Sequence, residues 1–154
     1  VDSPYDDKEW VAMPALNLDV ALIHATRADE RGVCEIASPD HYMDDWFARA
    51  SAHTIVSVDE MVDSTYFNDP DVARRVYWER NVTSQVVHVE GGAHPSSSDP
   101  LYGFDVSHYK TYGGLIAEGG YAAWADAFLG DSEADYQSKV GGLDAIHQLP
   151  LPAY

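Results

Sequence analysis

The chain has 154 residues, of which 45% are hydrophobic, and its 26 acidic residues against 9 basic ones give a formal net charge of −17. This length predicts one domain with a sizeable core, and no apolar run reaches the roughly 18 residues of a membrane span. Because like charges repel, so acidic a chain excludes nucleic acid and anionic membranes as favourable partners.

The acidity has two interpretations. One is a generally acidic cytosolic protein, and the other is adaptation to high salt, where the Debye length falls from about 10 Å at 0.1 M to about 3 Å at 1 M. The single cysteine, Cys34, excludes an internal disulfide and a cysteine-based zinc site. The polar first residues contain no signal-peptide apolar segment, which favours the cytoplasm. Because the sequence does not begin with Met, we expect a processed chain or part of a longer one.

Residues 18–25 are the most informative stretch. Apart from Asp19 and His24, both alternating sets of side chains are apolar. This pattern is typical of a parallel strand covered by helices on each side, although so short a run is also compatible with a helix. Polar residues follow from Thr26 to Gly32, where a parallel strand would end. Open α/β sheets bind ligands at that edge. The sequence therefore predicts an open, mainly parallel α/β sheet with helices on both faces.

The remaining elements are predicted in chain order within a single α/β domain over residues 1–154. An Asp-Pro pair at residues 69–70 predicts a helix start, Gly130 predicts a helix end, and residues 132–135 resemble a capping box. The predicted strands are 10–13, 34–37, 54–58 and 85–89. The predicted helices are 43–52, 69–80, 118–129 and 132–140, with a polar loop over 96–115 and an extended tail over 141–154.

Two strand ends carry glycine and polar residues, at 24–32 and 90–95, and a parallel sheet would bring them to one edge. Gly91 and Gly92 permit close backbone approach and positive φ, or simply form a tight turn. His24 and His94 are either core histidines with satisfied hydrogen bonds or site residues. Arg27 and Asp29, with neighbouring Arg31, suit a carboxylate clamp or an ion pair.

Several motifs are absent from the sequence. It contains no HExxH or paired-histidine spacing, no GxSxG elbow, and neither GxGxxG nor a Walker A loop. We therefore expect no metal, no serine hydrolase and no nucleotide-binding loop. The residues taken as substrate-binding or interface candidates are His24, Arg27, Asp29, Gly91, Gly92 and His94.

Two long segments carry a family resemblance: MPALNLDVALIHATRADERG at residues 13–32 and VVHVEGGAHPSSSDPLYGFD at residues 86–105. They resemble the α subunits of family I CoA-transferases, especially the glutaconate CoA-transferase branch, and IVSVDEMV and SEADYQ fit the same order. The resemblance implies an open α/β fold and a partner β subunit. It also implies transfer of CoA between carboxylic acids through a glutamyl-CoA thioester on that partner. The substrates are then CoA esters, no cofactor is covalently bound, and this chain supplies no catalytic residue.

A related α subunit, from CoA-dependent ring-opening hydrolases of steroid breakdown, is also similar over GGAHPSSSDPLYGFD. In those hydrolases an aromatic residue often follows Gly-Ala-His, so Pro95 favours the transferase. Nothing here matches the N-terminal half of the family's α subunit. The chain is therefore expected to be the C-terminal half, with the N-terminal half as a further partner. The alternatives are a non-catalytic binding module of the same fold and an unrelated stress or surface protein.

Overall fold

A computed structural model describes residues 1–153 and centres on a four-stranded sheet of order β2-β1-β3-β4. β1 and β3 are parallel, β3 and β4 are parallel, and only the short β2 runs antiparallel to β1. The strands are β1 (Leu18–Ala28), β2 (Cys34–Glu35), β3 (Ser51–Met61) and β4 (Gln85–His88). This confirms the predicted open, mainly parallel α/β class and excludes the helical alternative for residues 18–25.

Five α-helices and one 3-10 helix occupy the described chain. Asp69 caps α2 by accepting from the Asp71 N–H, and Ser132 caps α4 by accepting from the Asp135 N–H, as the sequence predicts. None of these helices is long and apolar enough to cross a membrane. The helices are α1 (Asp44–Ala50), the 3-10 helix (Ser64–Asn68), α2 (Pro70–Ala73), α3 (Val106–Phe128), α4 (Glu133–Lys139) and α5 (Leu143–His147).

The core lies on one face of the sheet. α1 contacts β1 and β3 there and buries Ala48 in a hydrophobic cluster closed by Trp78. The strand residues in that cluster are Ala21, Ile23, Ala25, Ala28, Cys34, Val56 and Val58. On the opposite face, Val20, Leu22 and Val87 remain 49%, 78% and 44% exposed. The apolar residues of β1 are thus buried on one side and open on the other.

Two predicted elements differ from the structure in the first half of the chain. Residues 10–13 belong to no strand, since the only bridge in this segment joins Asp2 and Glu9. The helix predicted over 69–80 ends at Ala73. Its later carbonyls bond elsewhere, Arg75 O to the Ile36 N–H and Tyr77 O to the Arg49 guanidinium, so the helical ladder cannot continue.

Three predicted elements in the second half also differ from the structure. The predicted loop over 96–115 ends early because Asp105 caps a helix start at Val106. Gly120, at φ 70°, kinks α3, so the helix predicted over 118–129 is only its second part. The predicted extended tail, 141–154, contains α5, which is anchored by the buried Ile146. The chain then crosses Gly103, whose N–H donates to Leu149 O at 3.2 Å. Residue 154 lies outside the described residues.

Candidate functional site

The carboxyl ends of β1, β3 and β4 lie at one edge of the sheet because all three strands are parallel. His24 is in register with Ser57, and Val58 with His88, so the segments after β1 and β4 are separated only by β3. A Cβ on Gly92 would lie 3.1 Å from His24 Cε1. The prediction that the two glycine-bearing strand ends are near neighbours at one edge is therefore confirmed.

His24 is held at both ring nitrogens by residues of β3. Its Nε2 lies 2.8 Å from Asp59 Oδ2, and its Nδ1 lies 3.0 Å from Ser57 Oγ. Because a carboxylate only accepts, the Nε2–H donates to Asp59. The Ser57 hydroxyl beside Nδ1 also reaches the carbonyl oxygen of Ile23, at 3.4 Å. The His24 side chain keeps one fifth of its surface exposed, whereas the Asp59 side chain has none. Asp59 thus holds His24 in one orientation at the edge where open α/β sheets bind ligands.

Asp59 is also the attachment point of the loop after β4. Its Oδ1 accepts from the Gly91 N–H at 2.8 Å and from the Tyr102 hydroxyl at 2.9 Å, while the Ala93 N–H donates to that hydroxyl at 3.0 Å. Burial alone would raise the pKa of Asp59, but hydrogen bonds, His24's first among them, leave it below its ordinary value. Burial and the Asp59 charge raise the pKa of Tyr102, so its hydroxyl stays a donor. The buried carboxylate of Asp59, in β3, therefore joins β1 through His24 to the chain after β4 through Gly91 and Tyr102.

A cavity of about 250 Å³ opens beside His24. Its lining is rich in hydroxyl and carboxylate groups and contains neither Lys nor Arg. Burial raises the pKa of Asp44, and the neighbouring Asp45 charge adds to the rise. Such a cavity suits a neutral, hydrogen-bonding part of a ligand better than an anionic part. Its polar lining residues are His24, Thr26, Ser38, Asp40, Tyr42, Asp44, Ser96, Ser97, Ser98 and Asp99.

His94 lies in a separate cluster that joins the loop after β4 to α3 and α4. Its Nδ1 lies 2.7 Å from the Tyr136 hydroxyl, and its Nε2 lies 3.2 Å from Asp105 Oδ2. Asp105 also caps α3 by accepting from the His108 N–H. Burial raises the pKa of Tyr136 to about 12. His94 therefore connects structural elements and also borders a wider cleft of about 450 Å³.

The ligand atoms of His94, Asp105 and His108 lie within 4.8 Å of one another, a donor set that fits a divalent metal. However, Trp124 Nε1–H donates to His108 Nε2 at 3.2 Å, and both nitrogens of His94 already have partners. A metal would have to displace several of these hydrogen bonds. The prediction that the chain holds no metal stays a prediction.

Arg27 and Asp29 lie away from the cavity beside His24. Arg27 contacts Glu60 and the buried Glu35. The carboxylate of Asp29 accepts from the backbone N–H groups of Arg31 and Val33 and from Arg31 Nε, which shapes the turn between β1 and β2. Of the six sequence candidates, the structure brings together His24, Gly91 and Gly92.

Three residues of this site were missed from the sequence: Ser57, Asp59 and Tyr102. Asp59 directly follows the apolar residues of β3, which is the same signal that drew attention to the residues after β1. The sequence predicts a strand that ends at Val58, one residue before Asp59. Tyr102 offered no comparable signal because it lies in a polar loop.

The structure is an α/β domain in which three parallel strands end at one polar edge. Similarity to known proteins identifies the family to which it belongs. Residues 3–79 match the family described as Coenzyme A transferase, so the chain belongs to that family. It is 30% identical to the cholesterol ring-cleaving hydrolase IpdA subunit of Rhodococcus jostii, covering 91% of this chain and 49% of the relative. It is 32% identical to the α (A) subunit of glutaconate CoA-transferase from Acidaminococcus fermentans, covering 99% of this chain and 48% of the relative.

The solved structure of the Acidaminococcus fermentans glutaconate CoA-transferase superposes with a TM-score of 0.83 at 25% identity. The match covers 97% of this chain and 47% of the other. The chain thus spans about half the length of the relatives it matches, and the resemblance stated from the sequence is confirmed at the level of the family.

Proposed function

We propose that the chain forms part of the α subunit of a CoA-transferase that moves CoA between carboxylic acids. The observation that carries the proposal is the fixed His24–Asp59–Gly91 arrangement at the ligand-binding edge of a domain similar to glutaconate CoA-transferase. The complete enzyme would be a hetero-oligomer with a β subunit, located in the cytoplasm.

In the proposed reaction, a glutamate of the β subunit makes the first attack, on the thioester carbonyl of an acyl-CoA. The released CoA thiolate then attacks the resulting anhydride, which leaves a glutamyl-CoA thioester and frees the first acid. A second carboxylate reverses these steps and leaves as the new CoA ester. In this chain Glu90 borders a small cavity beside Asp59, but it is half-exposed and lies 3.6 Å from His147. We therefore assign Glu90 to the loop or interface rather than to nucleophilic attack.

The cavity beside His24 would receive the acyl part of the CoA ester. The Ser96, Ser97 and Ser98 segment supplies hydroxyl groups, and His24, which lines the same cavity, is held in one orientation by Asp59. Because the lining has carboxylates and no cation, the phosphates of CoA would bind outside the cavity, on another part of the enzyme.

The test traps the thioester. The complex, co-expressed with its β subunit, is incubated with acyl-CoA and treated with borohydride, and the reduced glutamate is located by mass spectrometry. A modified glutamate in the β subunit supports the proposal. Modification within this chain, or CoA transfer by this chain alone, would overturn the division of roles between the two subunits.

The second candidate is a CoA-dependent ring-opening hydrolase, which the 30% identity to the IpdA subunit favours. The same experiment separates the two activities. A hydrolase consumes its CoA ester without an acceptor acid and without a reducible glutamyl thioester. A transferase requires the acceptor carboxylate for each turnover.

A further inference from the structure

One face of the sheet is apolar and open to solvent. Val20 and Leu22 of β1 and Val87 of β4 lie on it, and the register places Ile55 and Ser57 of β3 between them. Parallel sheets are normally covered on both faces. β1 has the composition of a doubly covered strand, yet α1 covers only the opposite face. Val20 and Leu22 are therefore left uncovered by the described helices, and this part of the sheet is open to a further layer.

An open strand edge lies next to this face. β2 pairs only with Arg27 and Ala28, so residues 18–26 of β1 have no strand partner on that side among the described residues. Unpaired backbone groups on an edge strand accept another strand. The open face and the open edge meet along β1 and form one continuous surface, here called the β1 surface: Val20, Leu22 and Val87 with the free edge of residues 18–26.

We propose that the β1 surface docks the complementary half of the α subunit, which adds a strand to β1 and lays an apolar helix over Leu22. This rests on the proposed assignment to an α subunit. The chain superposes on only 47% of the glutaconate CoA-transferase chain, so the relatives contain a further stretch of similar length. In doubly covered sheets the crossover helices on both faces normally belong to the same polypeptide. A second copy fits less well, because each copy carries a net charge of −17.

Photocrosslinking in the co-expressed complex identifies the occupant. Leu22→p-benzoylphenylalanine puts the probe on the β1 surface, and Trp46→p-benzoylphenylalanine puts it on the exposed side of α1, across the sheet. Crosslinked peptides from Leu22 that resemble the N-terminal half of the glutaconate CoA-transferase α subunit support the proposal. Peptides from a second copy or from the β subunit, or no crosslink in an intact complex, would overturn it.

A charge at position 22 provides an independent measurement. Because Leu22 is exposed in this chain, Leu22→Asp should leave its Tm unchanged while weakening binding of the complementary half about tenfold or more. Trp46→Asp is the matched control and should leave binding unchanged. Equal binding by both variants contradicts the docking surface.

The outcomes also separate this proposal from the proposed function. A complex that crosslinks as expected but transfers no CoA retains the docking surface and loses the function. An active transferase in which the probe at position 22 crosslinks to another partner retains the function and contradicts the docking surface.

Discussion

The backbone N–H of Gly91 donates a hydrogen bond to Oδ1 of Asp59 across 2.8 Å, which ties the loop after β4 to the end of β3. The other carboxylate oxygen holds His24. One buried side chain therefore sets both the position of the loop after β4 and the orientation of His24.

Asp59→Asn should lower the free energy of unfolding by about 2–3 kcal/mol. The new amide replaces an acceptor with a donor facing His24 Nε2–H and removes the charge from several hydrogen bonds. Urea denaturation measures the effect. Asp71→Asn is the control, because the Asp71 side chain is 78% exposed and should change stability by less than about 0.5 kcal/mol. Equal losses for the two variants would contradict a special role for Asp59.

Gly92→Ala should displace the loop from His24, because a Cβ there would lie 2.7 Å from Val89 O and 3.1 Å from His24 Cε1. We expect turnover of the complete enzyme to fall further than the yield of folded protein, which steady-state kinetics and circular dichroism measure together. Gly113→Ala in α3 is the control, since nothing lies within 4 Å of its Cβ position. Matching losses of turnover and folded protein would leave Gly92 as a plain turn residue.

Stability should fall as the pH drops through about 6.5, because burial and the neighbouring His94 lower the pKa of His108 below its ordinary value of 6.5. Between these two pKa values, His108 binds a proton in the unfolded chain but not in the folded chain, so a falling pH favours unfolding. Denaturant titrations from pH 8 to about pH 5 follow this decline. His108→Gln should flatten the decline, whereas exchange of the exposed His53 for Gln should leave it unchanged. A decline that persists in His108→Gln would assign it to another group.

A second acid transition should follow at lower pH. The pKa of Asp59 and that of Asp105 both lie below the ordinary 3.8, because hydrogen bonds to the carboxylates outweigh burial. Their stabilisation is complete above that value and is lost as the pH falls through the depressed pKa. Asp59→Asn should reduce this transition, and an unchanged acid limb would show that Asp59 does not contribute to it.

If the acidity is an adaptation to high salt, the Tm should rise with KCl from about 0.1 M to about 2 M, since screening relieves repulsion among the carboxylates. Differential scanning calorimetry measures this dependence. A flat or falling Tm would remove the high-salt interpretation and leave the family assignment untouched.

The sequence predicted the centre of the sheet because a run apolar on both faces, followed by polar residues, has few structural solutions. The predicted helix over 69–80 was too long because its backbone carbonyls accept hydrogen bonds from residues far away in the sequence. Arg75 and Tyr77 end α2 through Ile36 and Arg49, and local propensity cannot reveal such contacts.

The same limit applies to the site and to α3. Gly113 and Gly114, together with the Ser, Asp and Tyr residues before them, make the first half of α3 resemble a loop, although both glycines are helical and only Gly120 takes a non-helical φ. His24, Gly91 and Gly92 were found because each borders a predicted strand end. Asp59 and Tyr102 become visible only when the fold brings three segments together.

The segment after α5 packs against Gly103 and covers the backbone next to Tyr102. A Cβ on Gly103 would lie 1.7 Å from Pro150 O, so the final segment rests directly on the backbone beside Tyr102. His147 also lies close to the Tyr102 ring, at 5.9 Å between centroids. A protease that clipped the chain before Leu143 would remove this cover and the Ile146 anchor together. Tyr102 would then be free to leave Asp59, so a cut far along the chain from the cavity would loosen His24 in the cavity wall.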